Sequence, residues 1–495
     1  MKFPIATGNF LIDGERYVNL MPVWNPTGKY YELHGTEGLE EFATLGGYPS
    51  RGLYVMSKDE SVKFAVAGGK FYRISADGTV TEKGTLLTSQ GIVGMADNGL
   101  QLMIVDGPNG YIYTKATDTF AEITDPDFPG GTAVAFKDGY FITVDPDTQI
   151  GRTCGLYDGT AWDALDFASA EGDPDPLVSV DASDENVWFY GKVTTEIFYN
   201  AELEGFPFQR RSGGVLNFGL AAKNSLAQNN QARFFLARTT APQGERVIVM
   251  VSGFTPTIIS PRGLNEEMAK FRDTADAEGF AYMREGHSFY AITFPSEGRT
   301  FIYDASEEQW HERSSVVDGV DARWRARTYA YFNGFHMVGD YTTGKIYKLK
   351  TGAYSEDGAA IKRKFITPEA ADRDSGKRIG VSSLQVPMKV GVGQAVVGEY
   401  EAVPADGSYA ANGSVSAGGD PVMLSSAENP MVSLRISHDG ALTWTKDRTA
   451  AIGKLGEYQR RVRFLALGSG YKWNVELSVS DPVEVKFEGP LIVGG

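Results

Sequence analysis

A β-rich unit recurs along the first two-thirds of the chain, and that recurrence limits the fold more than any other feature. One copy, Gly52 to Leu86, reads GLYVMSKDESVKFAVAGGKFYRISADGTVTEKGTL, and the next, Gly91 to Asp125, reads GIVGMADNGLQLMIVDGPNGYIYTKATDTFAEITD. Each copy holds a strand, a Gly-centred turn, an aromatic strand and a short outer strand. The pattern returns in HSFYAITFPSEGRTFIYDASEEQWHE and in FHMVGDYTTGKIYKLKTG. A period of roughly 35–50 residues with four short strands per copy is the signature of a β-propeller. The cause is burial: one four-stranded blade cannot cover both of its faces, so blades stack radially and bury each other.

The copies divide at 52–90, 91–130, 131–172, 173–222, 223–262, 279–318 and 324–367. That predicts about seven blades, or six if a terminal copy merges with its neighbour. In NVWFYGKVTTEIFYN, Val187, Phe189, Gly191 and Val193 alternate with Trp188, Tyr190 and Lys192, the period of two expected of a strand. PRGLNEEMAKFRDT breaks the pattern. Leu264, Met268 and Phe271 fall at helical spacing and Asn265 suits a helix start, so a short amphipathic helix is expected near 264–274, as decoration or as an interface. The expected organisation is an extended N-terminal segment over 1–50, a propeller over 51–367 and a C-terminal β-sandwich-like domain over 368–495. An Ala/Gly/Ser-rich stretch at about 401–430 reads as a flexible loop.

With 495 residues the chain exceeds what one hydrophobic core supports. Its 58 glycines and 12% aromatic content suit many short strands joined by tight turns. The opening MKFPIATGNFLIDGERY has no signal-peptide pattern, and no apolar run approaches the roughly 20 residues a membrane helix needs, so no membrane insertion is expected. The single Cys154 excludes an intrachain disulfide. A formal net charge of −16 argues against a nucleic-acid grip, which needs clustered Lys and Arg. It suits either plain solubility or a channel wall along which DNA slides without sticking.

The candidate chemistry is sparse. SHDGALTW resembles an Asp-box turn, with Ser437, Asp439, Gly440 and Trp444 as its structural residues and Ala441 where the box has glycine. In such a turn the Asp bonds backbone amides and the Trp packs beneath. The box also occurs in sialidases, outside their active sites. The acidic pairs Asp145 and Asp147, Asp173 and Asp175, and Glu307 and Glu308 sit in Pro- and Gly-rich turn contexts without EF-hand spacing. His34, His287, His311, His336 and His438 are scattered, without metal-ligand spacing. No nucleophile elbow, Walker loop or dinucleotide fingerprint occurs. The residues therefore point to no catalytic, cofactor-binding or metal site. Three basic groups, Gln209 to Arg211, Lys362 to Lys364 and Gln459 to Arg463, are either ion-pair partners across an oligomer interface or ordinary solvated strand edges.

The order of segments resembles the packaged-DNA stabilisation proteins of short-tailed bacteriophages, also called tail accessory factors or tail hub or nozzle proteins. ERYVNLMPVWNP followed by LHGTEGLEEF is similar to that family's opening, with Glu37 where a proline is expected before Gly38 and Leu39. ALDFASAEGDPDPLVSV leading into NVWFYGKVTTEIFYNAELEGFPFQRRSGGVLNFGL is the most specific stretch, and SLRISHDGALTW with SDPVEVKFEGP continues the likeness. The resemblance implies a virion structural protein of the tail, made in the bacterial host cytoplasm. It implies a homo-oligomeric ring of six copies below the portal and adaptor proteins, extending the DNA channel, retaining packaged DNA and docking needle, spike or fibre proteins. DNA would pass without specific binding. Periodicity alone gives only a propeller, and propellers host many functions. A glycan-binding propeller or a glycosidase is the alternative, and such a site would need several arginines and an acid pair on successive inner strands, where the sequence reads aliphatic and aromatic. A tail protein whose propeller reads a host receptor is a third possibility.

Overall fold

The computed structural model describes residues 2–3, 10–11, 14–131, 133–170, 175–183, 185–229, 232–240, 244–372, 376–393 and 428–494. Most of the Ala/Gly/Ser-rich stretch expected to form a loop, and Asp173, lie outside the described residues. The chain divides into two compact units, residues 37–351 and residues 1–36 with 352–495.

The unit 37–351 is an all-β propeller. Its four-stranded antiparallel blades fall at 50–85, 94–122, 134–169, 177–216, 218–258, 278–317 and 326–350, seven among the described residues. First strands of neighbouring blades touch, as Ser50–Met56 does with Gly94–Asp97 and Ala326–Phe332, and Val134–Lys137 with Gly94–Asp97 and Leu177–Ser183. Blade-to-blade burial follows from strand alternation. In the fourth blade, Val187 and Phe189 join Ile142, Val144 and Phe208 in the core shared with the third blade. Trp188 and Tyr190, the intervening residues, join Phe235, Val247 and Val249 in the core shared with the fifth. Each large side chain buried this way contributes on the order of 1.5–3 kcal/mol. Cys154 sits in the core between the second and third blades, and burial pushes its thiol up to about 12.

The last blade departs from the sequence expectation. Its fourth strand is Gly38–Thr44, which pairs antiparallel with Lys345–Lys350 from Lys345↔Thr44 to Lys350↔Gly38. Residues expected in an extended lead-in therefore close the propeller, and residues after 351 leave it. The physical reason is the ring: its first and last blades must be joined, and a strand from one end of the chain completes the blade built by the other.

Glu37 immediately precedes that closing strand. Its Oε1 lies 3.0 Å from both Arg313 Nη1 and Arg284 Nη1, and Arg313 Nη2 donates to its carbonyl at 2.8 Å. Burial alone would raise the carboxyl's pKa, but the two guanidiniums override it and hold the group at about 2. An ion cluster thus anchors the closure at Glu37, where proline is the expectation from the sequence.

The helix is Arg262–Met268, starting after an extended Pro261, so Asn265 is internal rather than the cap. Leu264 and Met268 are buried, Phe271 meets Phe294 edge-on at 5.0 Å, and Glu267 pairs with Arg299 of the sixth blade at 2.6 Å.

The second unit is built of β-sheets and takes in the N-terminus. Arg16–Val18 pairs with Arg363–Ile366, which in turn pairs with Lys472–Val479, itself paired with Met431–Ser437. A second sheet joins Lys2–Phe3, Leu491–Gly494, Ile379–Val386 and Val462–Gly470. Tyr17, Leu33, Phe365, Leu434, Leu477 and Phe487 are fully buried. The boundaries at 50 and 367 therefore move to 36 and 351, because four described N-terminal strands, Lys2–Phe3, Arg16–Val18, Leu20–Asn25 and Tyr30–Gly35, belong to this unit's sheets. Arg363 corrects the solvated reading of its basic group: strand alternation turns it inward with Phe365, and it donates to Thr36 O at 3.2 Å.

Candidate functional site

Two cavities in the propeller could hold chemistry. The first, about 220 Å³, lies among first strands and is lined by Arg51, Tyr54, Glu278, Phe280, Arg327 and others. Charged groups sit here, contrary to the aliphatic and aromatic expectation, and they are spent on one another. Arg327 grips Glu278 through Nε and Nη2, the latter at 2.7 Å, and Arg323 approaches the same carboxylate at 3.6 Å. Glu278 thus occupies the place an anionic ligand would take. Arg51 donates to Gly91 O, Gly68 O, Thr88 O and Gln90 O, which fixes the loop joining the first two blades.

The second cavity, about 430 Å³, is lined by Ser183, Asn186, Trp188, Gln228, Arg233 and Phe254 among others. Arg233 stacks 4.2 Å over the Trp188 ring and donates through Nε to both oxygens of Asp181, which also accepts Tyr190 Oη–H at 3.0 Å. Burial raises the Asp181 pKa, while Arg233 and Tyr190 oppose that rise. Among the described residues the lining offers aromatic faces and amides but no carboxylate, histidine or thiol.

The SHDGALTW segment holds a local polar network. Ser437 Oγ donates to Asp439 Oδ1 at 2.6 Å, Thr443 N donates to the same oxygen at 2.9 Å, and Thr443 Oγ1 donates to Oδ2 at 2.6 Å. The Ser437 and Thr443 hydroxyls and the Thr443 amide hold the Asp439 carboxyl well below the usual carboxylate range. Gly440 and Ala441 have φ of 78° and 67°. Trp444 differs from expectation. It is half-buried, with the Arg435 guanidinium 5.5 Å from its ring, and not in the core. The buried indole of this region is Trp473, edge-on to His438 at 4.4 Å. The turn faces outward, so its Trp covers a charged neighbour.

The remaining candidates are structural. Asp145 pairs with Arg152 at 3.1 Å, Asp147 has φ of 57°, and Asp175 accepts the amides of Val193 and Thr194. Glu308 has φ of 54° in its turn. His287 bonds Asp304 at 2.6 Å, Tyr329 Oη bonds His336 Nδ1 at 2.9 Å, and burial followed by Arg313 pushes His311 down to about 3. Among the described residues no group of three or more His, Cys, Asp or Glu could hold a metal ion. No described helix is long and apolar enough to cross a membrane.

What the sequence did not disclose is surface character. Leu165, Leu203, Leu455, Tyr458 and Leu442 are 79, 50, 57, 67 and 81% exposed. A contiguous exposed apolar surface is a common mark of a partner site.

No curated protein matches the chain. Among solved structures it is similar to virginiamycin B lyase from Staphylococcus aureus, at 13% identity and TM-score 0.43 over 63% of this chain and 99% of that one. It is also similar to the Pan2 WD40 domain of Neurospora crassa, at 7% identity and TM-score 0.42 over 64% and 97%. Likenesses this distant carry no argument of their own. A family model described as "Bacteriophage P22 Gp10, beta-propeller" matches residues 1–354, the propeller and the N-terminal strands of the second unit. The chain therefore belongs to the bacteriophage P22 Gp10 β-propeller family of phage stabilisation proteins.

Proposed function

We propose that this phage structural protein is a non-enzymatic subunit of a short-tailed phage tail. In this reading several copies form a ring around the DNA path below the portal and adaptor, help retain packaged DNA, and dock needle, spike or fibre proteins. The family match over residues 1–354 is the observation that carries it. Two structural features support it. Among the described residues of the first-strand cavity, Arg323 and Arg327 are paired with Glu278 and Arg51 spends its donors on backbone carbonyls, which leaves few of these groups to hold a phosphate. The net charge of −16, repeated around a ring, would repel DNA phosphates from the wall. Mass spectrometry and electron microscopy of purified virions test the reading: several copies at the tail vertex are expected, and absence from infectious particles would overturn it.

A second reading, glycan binding by the propeller, rests on the Trp188 cavity, whose amides and aromatic faces suit a neutral polar ligand. Titration of the full chain with host-surface oligosaccharides would reveal saturable binding lost in Asn186→Ala if it held.

A further inference from the structure

Two exposed surfaces of this chain carry apolar side chains and are opposite in charge. The first is on the third and fourth blades. The outer strand Asp158–Ser169 loses register with its neighbour: Arg152 opposes Phe167 while Cys154 opposes Trp162, so residues 163–166 stand out of the ladder. The projection is held from within, by Leu165 N donating to Asp163 Oδ1 at 2.9 Å and by Arg152 Nη1 donating to Ala164 O at 2.6 Å. At its tip Leu165 is 79% exposed, and Phe167 beside it is 43% exposed. The loop 201–207 lies alongside, since a Cβ on Gly205 would sit 3.2 Å from Asp166 Oδ1, and its Leu203 is half exposed. The result is an apolar knob fringed by Asp163, Asp166, Glu202 and Glu204, none of which forms an ion pair with a described residue. An exposed apolar projection is costly to leave bare, and a fringe of hydrated carboxylates favours a cationic partner.

The second surface is the loop between Arg448–Ala451 and Val462–Gly470 in the other unit. It forms a recess of about 460 Å³ lined by Gly456, Glu457, Tyr458, Gln459 and Arg460. Leu455 and Tyr458 are exposed, and Arg460 and Arg461 are exposed beside them. Glu457 is neutralised by Arg460 at 2.8 Å and Lys454 is paired with Glu428 at 2.9 Å, which leaves Arg461 as the excess positive charge.

We propose that the acidic knob of one copy docks in the basic recess of the next copy, with Leu165 and Leu203 against Tyr458 and Leu455 and the knob's acids facing Arg460 and Arg461. This rests on the ring reading above. Charge selects the pairing: knob against knob sets acids against acids, and recess against recess sets arginines against arginines, each of which costs free energy. A contact between two different patches of the same chain is heterologous, the kind that closes into rings when its rotation permits.

Disulfide trapping in assembled particles tests it. The only native cysteine, Cys154, is fully buried, so introduced thiols report cleanly. Phage particles carrying the double variant Leu165→Cys with Tyr458→Cys should, on mild oxidation, give dimers and higher multiples on a non-reducing gel, and neither single variant should. Monomer alone from particles holding several copies would overturn the docking and leave the ring standing. Particles holding one copy or none would overturn the ring as well. Dimer from Leu165→Cys alone would mean knob meets knob and would also overturn the proposal. In a second arm, Arg460→Glu with Arg461→Glu should lower incorporation into particles at least about tenfold, and adding Asp163→Arg with Asp166→Arg should restore it. Unchanged incorporation of the first pair, or no restoration by the second in a chain of unaltered thermal unfolding, would contradict it.

Discussion

Glu37→Gln, at the entry to the closing strand Gly38–Thr44, should destabilise the propeller strongly. The carboxylate meets Arg313 and Arg284 at 3.0 Å, and the Arg313 side chain is only 1% exposed. Removing one member of a buried ion cluster strands the others, at a cost of about 3–5 kcal/mol. The pKa gives a second route to the magnitude. The carboxyl falls from an ordinary 4.5 to about 2 against the pull of burial, through Arg313 and Arg284. At about 1.4 kcal/mol per unit of pKa difference, that is roughly 3 kcal/mol of stability at neutral pH. Because the folded pKa is the lower one, this stability is full above about 4.5 and is lost as pH falls through about 2. Urea titrations followed by circular dichroism and fluorescence, from pH 7 down to pH 3, measure both effects. The variant should lose stability at pH 7 and show a flatter acid limb. Glu40→Gln is the control on the same strand: its contact with Lys350 is exposed, so its effect should stay within about 0.5 kcal/mol. A Glu37→Gln chain within about 1 kcal/mol of the parent at pH 7, with an unchanged acid limb, would refute the clamp.

Three further outcomes follow from the same structure. Ala441→Gly should stabilise the C-terminal unit by about 1 kcal/mol, since Ala441 holds φ of 67° where the turn motif has glycine, and a lower melting temperature would contradict that. Trp473→Ala should cost about 3–5 kcal/mol as a truncated core aromatic, whereas Trp444→Ala should cost only about 1 kcal/mol through its contact with Arg435, both read by thermal unfolding; equal losses would place Trp444 in the core after all. Glycosidase, esterase and nuclease substrates should show no turnover with the purified chain, and hydrolysis abolished by a single acidic substitution would sink the structural reading.

The blades were legible in the sequence because their middle strands are buried on both faces. Val187, Trp188, Phe189 and Tyr190 alternate between two neighbouring cores, so every residue is large and apolar and the repeat stands out. The closing strand was not legible. Gly38–Thr44 mixes Leu39 and Ala43 with Glu40 and Glu41, and its partner lies at the far end of the propeller, so only the ring explains its pairing. The polar half of the Asp-box was legible because its bonds are local, running from Asp439 to Ser437 and Thr443. The exposure of Trp444 depends on which side of the sheet meets the core, and no short motif encodes that. The axial pairing of Glu278 with Arg327 joins residues 49 positions apart through first strands brought together by closure, so composition could not show that these charges are spent.

The central claim is that this chain is a tail component that keeps packaged DNA inside the particle. Particles filled with DNA but assembled without it give the most direct test, read as nuclease-sensitive DNA released over time before and after adding the purified chain. The account predicts rapid leakage that stops on addition, with infectivity recovering in parallel. Particles that hold their DNA and infect normally without the chain would contradict it.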